Sequence, residues 1–283
     1  RVNDVWHADV CHGPALTIGE RSVPLRIHAL LDDHSRYIVA VQAFASERES
    51  DMLALLVKAL RLHDAPRVLY LDNGATYSGD ALKTVCARLG IQLVHAKPYD
   101  PEARGKMERF WRTLREGCLD HLGPMASLHD VQVRILAFLD QRYHVAPHAS
   151  LMGQSPLAVY EVGRAREPNQ LSEARLADAL TMRATRRVRR DGTLDLGGVT
   201  WETTAGFLAG RNVVIGRGLL DPTSAPWIEH EEQRYTLHRV DPVANGQRPR
   251  ASQSHRPLRG IDVLFDPPSA MLDAMLGRKG VRP

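Results

Sequence analysis

"LYLDNGATYSGDAL", residues 69–82, is the stretch on which the fold turns. The apolar run Leu69–Leu71 stops at Asp72, Asn73 and Gly74 force a turn, and a helix is expected from about Ser78 to its stop at Gly90. Asp-Asn-Gly is also ordinary turn chemistry, because these residues tolerate positive φ and cap their own backbone. Whether Asp72 is more than a turn residue depends on whether other carboxylates converge on it.

Working outward towards the start, "DVWHADVCHG" (4–13) alternates Trp6, Ala8 and Val10 with His7, Asp9 and Cys11. That period of two marks a strand with unlike faces, Asp9 pointing away from the Trp6 side. The apolar runs "VPLRIHALL" and "RYIVAVQAF" flank "DDHSR" and predict a hairpin, so three successive strands precede any helix. Ser46 with Glu49 reads as a capping box, followed by Leu53, Leu56, Val57 and Leu60 at helical spacing. Beyond the 69–82 unit, "IQLVH" predicts one more strand. The order is β-β-β-α-β-α-β, an α/β mixed sheet with flanking helices.

Working outward towards the end, the prolines at 98 and 101 make the front of "AKPYDPEARGKMERFWRTLREGCLDHL" (96–122) a loop. Met107, Trp111, Leu114, Cys118 and Leu122 then form the apolar stripe of an amphipathic helix. A further helix is expected around 128–143, and Ser155-Pro156 reads as a helix start. Residues 161–182 read as a charged helical linker. From "TRRVRRDGTLDLGGVTW" to "YTLHRVDP" short β-rich runs, with turns at Asp191-Gly192 and Gly197-Gly198, predict a small all-β barrel. The resulting organisation is 1–160 core, 161–182 linker, 183–242 barrel and 243–283 flexible basic tail. Within the tail, "IDVLFDPPSAMLDAMLG" carries a short amphipathic helix.

The totals set bounds. A chain of 283 residues that is 43% hydrophobic and 25% charged has apolar surface enough for one large domain and a smaller one. No run approaches the roughly 20 apolar residues of a membrane span, so no membrane partner is expected. The opening "RVNDVWHADV" has neither a signal pattern nor an initiator Met and reads as the start of a fragment. Cys11, Cys86 and Cys118 lie far apart without a Cys-x-x-Cys pair, against a disulfide framework or a thiolate zinc site and in keeping with a reducing cytoplasm. The net charge is only +4, but the positive charge is nearly all arginine and unevenly placed. There is no Gly-rich nucleotide loop, so this chain is not expected to use ATP.

Three carboxylates remain: Asp9 within the first strand, Asp72 at the end of the fourth, and Glu108 on the first turns of the long helix, with 35 residues between the last two. "WHADV", "LDNGATYSG" and "KPYDPEARGKMERFWRTLRE" resemble the three catalytic blocks of the retroviral-integrase superfamily, and "ALLDDHSRYIVAV" resembles its second and third strands. The resemblance covers about residues 1–160 and implies an RNase H-like core. The region after residue 183 resembles the C-terminal domain of Mu-type transposases, which points to a bacterial, nucleoid-associated DDE transposase rather than a viral integrase. By resemblance, Asp9 would bridge two Mg²⁺ ions, which Mn²⁺ can replace; Asp72 would hold the first ion and Glu108 the second. Hard cations take hard oxygen ligands, and a pair of them roughly 3.5–4 Å apart suits phosphoryl transfer.

Glu108 taken alone reads as a surface ion pair with Arg104 and Arg112, worth about a few tenths of a kcal/mol. Yet Arg104, Glu108, Arg112 and Arg115 share one helix face, which would set a metal ligand among phosphate-binding cations, and Lys106 stands where the superfamily often has a basic residue. His7, Cys11 and His12 lack an evident fourth ligand and read as structural rather than as a zinc site. Asp32 and Asp33 serve the hairpin turn. Arg186, Arg187, Arg189 and Arg190 are expected to contact the DNA backbone. The expected activity is metal-dependent 3′-end cleavage and strand transfer. Expected partners are mobile-element end DNA, target DNA, further copies of the chain, and an ATPase reached through the C-terminal tail. Two alternatives stay open: an RNase H-like nuclease that only hydrolyses, and an inactive DNA-binding assembly factor.

Overall fold

The computed structural model describes residues 1–18, 20–71, 79–96, 101–123, 125, 127–165, 171–221, 223–241 and 275, excluding the side chains of 101–104. Its contacts divide the chain into two compact units, Arg1–His238 and Arg239–Pro283. Apart from Met275, the stretch 261–277 expected to carry the tail helix lies outside the described residues.

Five strands, β1 (Val5–His12), β4 (Arg26–Asp32), β5 (Ile38–Phe44), β6 (Val68–Leu71) and β7 (Gln92–His95), form one mixed sheet in the order β5-β4-β1-β6-β7. The β4–β5 hairpin is antiparallel and β1 pairs antiparallel with β4, whereas β6 pairs parallel with β1 and with β7. Between β1 and β4 sits a hairpin that the pattern did not predict, β2 (Leu16–Ile18) and β3 (Arg21–Val23). Its three-residue strands are too short to show a period.

The alternation in β1 sorts the sheet into two faces. Trp6 and Ala8 join Leu30, Leu69 and Leu71 under α1 (Glu49–His63) and α2 (Asp80–Leu89). Cys11 joins Ile27, Ala29 and Leu31 under α3 (Pro101–Gly117) and α4 (Leu128–Phe138). Fully burying a side chain such as Leu30 or Phe110 stabilises the fold by about 1.5–3 kcal/mol, so these two apolar layers hold the sheet between its helices.

Several helix ends differ from expectation. The box at the start of α1 is built on Arg48 and Asp51 rather than on Ser46 and Glu49: Asp51 accepts the Arg48 N–H at 3.0 Å and the Ser46 hydroxyl at 2.6 Å. Glu49 instead accepts the Leu82 N–H at 2.8 Å, capping the next helix. α2 stops where expected, at Gly90 with φ 77°. α3 begins at Pro101 itself, since the first residue of a helix needs no N–H. It ends at Gly117, short of the expected Leu122, and the chain turns through a 3₁₀ segment at Leu119–His121; Gly117 lets Phe138 of α4 approach to where a Cβ would stand 2.4 Å from its ring. α4 runs on as a π-helical turn, Leu139–Tyr143. α5 (Pro156–Arg164) starts as expected, the Ser155 hydroxyl accepting the Ala158 N–H at 3.2 Å. The stretch read as a linker holds α6 (Glu173–Ala179), whose Leu176 and Ala179 are buried in the same core as α1 and α2.

From Thr181 to Arg239 the described elements are strands, with one 3₁₀ turn at Gly206–Leu208. Strands β8 (Thr181–Arg187), β11 (Asn212–Gly218), β12 (Trp227–His230) and β13 (Gln233–Thr236) form an antiparallel sheet in the order β13-β12-β11-β8. The hairpin β9 (Thr193–Leu196) and β10 (Val199–Glu202) shares a core with it around Val188, Leu194, Trp201, Ile215 and Ile228. Among the described residues no helix is long and apolar enough to cross a membrane.

Candidate active site

Three contacts fasten α3 along β1. Near its start Lys106 donates to Asp33 Oδ1, which also bonds the His7 ring through Nε2 at 2.7 Å. In the middle the Trp111 indole N–H donates to Asp9 Oδ2 at 2.7 Å. Further on, Arg115 Nη2 donates to Cys11 Sγ at 3.2 Å and to the His12 carbonyl at 3.1 Å. Residues 106 to 115 rise about 13–14 Å along a helix and residues 7 to 11 about 13 Å along a strand, so helix and strand keep step.

Asp9 is half-buried on the α3 side of β1, and its Oδ1 accepts the Val10 N–H at 2.8 Å. Glu108 is exposed and stands one helical turn before Trp111, within the roughly 5–6 Å Cβ spacing of i,i+3 neighbours. Asp72 lies outside the described residues. What precedes it is described: on the parallel strands β1 and β6, His7 and Tyr70 are paired in register with ring centroids 5.1 Å apart. Each stands two residues before its aspartate, Asp9 and Asp72. Carboxylate oxygens on a strand and on a helix turn fastened to it are a donor set that fits a divalent cation of the Mg²⁺ type. Among the described residues no three His, Cys, Asp or Glu groups gather as a metal cluster. His12 bonds Glu47 at 2.8 Å, so His7, Cys11 and His12 each have a protein partner.

The expected DNA-contact residues divide. Arg112 is exposed beside Glu108, whereas Lys106 and Arg115 are engaged with the sheet; the Arg104 side chain is not described. Arg186, Arg187 and Arg190 are exposed, and Arg189 is ion-paired with Asp195. A groove of about 800 Å³ on another flank of α3 is lined by Lys106, Arg109, Phe110, Phe138 and Arg142; neither Asp9 nor Glu108 lines it.

Two site residues escaped the sequence reading. Trp111 was assigned only to the apolar stripe and Asp33 only to a turn. The signal for Trp111 was its identity: a buried indole N–H needs an acceptor, and Asp9 was a candidate in want of a donor.

Two family models, each described as integrase core domain, match residues 1–101 and 89–156 and together span more than half of the chain. Through these residues the chain belongs to the retroviral-integrase superfamily, the group that includes the DDE transposases. It is 27% identical over 113 residues to the Gag-Pro-Pol polyprotein of squirrel monkey retrovirus, covering 40% of this chain and 6% of that protein. It is 24% identical over 158 residues to the transposase for transposon Tn552 of Staphylococcus aureus, covering 49% of this chain and 31% of that protein. Similar solved structures include the catalytic core domain of BIV integrase, with TM-score 0.45, 18% identity and coverage of 58% of this chain and 98% of that one. Another is the simian T-cell lymphotropic virus intasome in complex with PP2A regulatory subunit B56 gamma, with TM-score 0.46, 16% identity and coverage of 85% and 80%. The chain spans less than a third of the length of the curated relatives named here.

Proposed function

We propose that this chain is a DNA transposase or integrase that frees the 3′ end of a mobile element and joins it to target DNA by metal-dependent phosphoryl transfer. The observation that carries the reading is the Trp111–Asp9 contact, which ties the carboxylate of β1 to the helix bearing Glu108 in a chain with an integrase core. Asp9, Asp72 and Glu108 would hold two Mg²⁺ ions, or Mn²⁺ in their place. Bound there, the cations would supply a deprotonated oxygen nucleophile and stabilise the leaving oxygen. The protein's own part is placement: β1 supplies a half-buried carboxylate, α3 an exposed one, and Arg112 a guanidinium beside it for a backbone phosphate. Exposed Arg186, Arg187 and Arg190 would hold duplex DNA farther along. No covalent protein intermediate is needed. End DNA, target DNA and further copies of the chain are the partners in this reading, with an ATPase at the C-terminal tail a finer element of it.

The test is strand transfer of a pre-cut end oligonucleotide into a plasmid with Mg²⁺ or Mn²⁺. Joined product is expected from the native protein, and none from Asp9→Asn, Asp72→Asn or Glu108→Gln, each still cooperatively folded and binding DNA; Asp9→Asn should melt lower, because its amide NH₂ meets one of the two N–H groups that the carboxylate accepts. Hydrolysis without joining would make the protein a nuclease. DNA binding without any metal-dependent chemistry would make it an assembly factor.

A further inference from the structure

We infer that Trp111 is a positioning residue: its indole N–H orients the Asp9 carboxylate and, through the same contact, sets the spacing between Asp9 and Glu108. The inference rests on the reading of the site just given. At 2.7 Å the bond to Oδ2 lies at the short end for N–H···O, as expected when the acceptor is a carboxylate. An indole nitrogen only donates, so this contact has one polarity and no alternative tautomer. With the Val10 N–H on Oδ1, both Asp9 oxygens carry an internal donor, and the carboxylate plane is fixed from two sides.

The ring is fixed as well. Trp111 is 7% exposed and packs against Phe110 at 4.8 Å between centroids. The contacts of Lys106 with Asp33 and of Arg115 with Cys11 and His12 bracket it along the helix. A slide of Trp111 relative to Asp9 would strain the flanking bonds, and the backbone of Glu108, one turn away on the same helix, moves with it.

The test separates bulk from the N–H. Trp111→Phe, and a protein carrying 3-benzothienylalanine at position 111, which has sulfur in place of the N–H, are titrated with Mn²⁺ without DNA while the thermal unfolding midpoint is followed. Residues that hold a metal ligand from behind typically change affinity by roughly 10–100-fold. Both proteins should need Mn²⁺ raised by that factor to reach the same shift from their own midpoints in EDTA, the benzothienyl protein should still unfold cooperatively in EDTA, and both should keep the native DNA affinity without metal. Asp9→Asn should abolish the Mn²⁺ shift. If it does, and both Trp111 replacements respond to Mn²⁺ like the native protein, Trp111 only packs and this inference alone is overturned. If Asp9→Asn retains the full shift, the ion is not on Asp9, and the site reading falls together with the inference.

Discussion

Asp33 gathers two donors on one oxygen, His7 Nε2 of β1 at 2.7 Å and the Lys106 ammonium of α3, with the Arg36 guanidinium an ion-pair contact at 4.0 Å. The His7 hydrogen bond first, then the Lys106 bond and charge, overcome partial burial and hold this carboxyl well below its ordinary 3.8. A depressed carboxylate lends stability that is complete above its unfolded pKa and is lost as pH falls below it. Asp33→Asn should therefore lower stability by about 1–2 kcal/mol at pH 7 and flatten the acid side of the stability curve below about pH 4. Urea unfolding at pH 7 and pH 3 measures both effects. A variant carrying Asp33→Asn that is as stable as the native protein at pH 7 would mean that Lys106 is free to serve DNA instead.

At the scale of elements, β8 separates arginines that sequence proximity had grouped. Arg183 is paired with Asp178 and Glu229 and Arg189 with Asp195, while Arg186, Arg187 and Arg190 are exposed without an ion pair among the described residues. On the DNA-binding reading, each of these three that contacts a phosphate should lower the slope of log K against log salt by roughly 0.9 when changed to Gln. Arg189→Gln should change it less, because that guanidinium already has a carboxylate. Equal, negligible changes of slope for all four would mark a solvated face. The same comparison shows what a sequence makes legible. The period of two in "WHADV" gave β1 and the side on which Asp9 lies, and Asp191-Gly192 gave a turn whose Gly192 adopts φ 81°. These are local constraints, carried by neighbours in the chain. The stripe through Cys118 to Leu122 suggested a helix five residues longer than α3, because a 3₁₀ turn buries Leu119 equally well. The bonds that build the site join residues 73 and 102 positions apart, and no period encodes such a distance.

Across the whole molecule, four rings tie separate elements together. Tyr37, after the β4–β5 turn, stacks on His144 at 4.0 Å and on Tyr160 of α5 at 4.4 Å, and the Tyr160 hydroxyl meets Nδ1 of His63, the last residue of α1, at 3.1 Å. His144 Nε2 also accepts the Ile38 N–H at 3.3 Å. Burial pushes both histidines down to about 4 from an ordinary 6.5, aided at His63 by Arg164 and at His144 by His63, with the Asp140 carboxylate 3.7 Å from His144. Both rings are neutral in the fold and take up protons on unfolding, so stability should fall as pH drops from 6.5 towards 4, by up to about 3 kcal/mol per ring. His144→Gln should remove about half of that slope in urea unfolding across the interval. An unchanged midpoint from pH 7 to 4.5 would show that the rings accept protons in place. The position of β1 at the centre of the sheet has another consequence. Its strand neighbours begin at Arg26 and Val68, and the helix that grips Asp9 ends only at Gly117. During synthesis the strand that bears the first carboxylate therefore emerges well before anything that can hold it. A nascent chain stopped short of α3 possesses Asp9 but not the indole that orients it, so on the function proposed above it would stay inert towards DNA until that helix has been made.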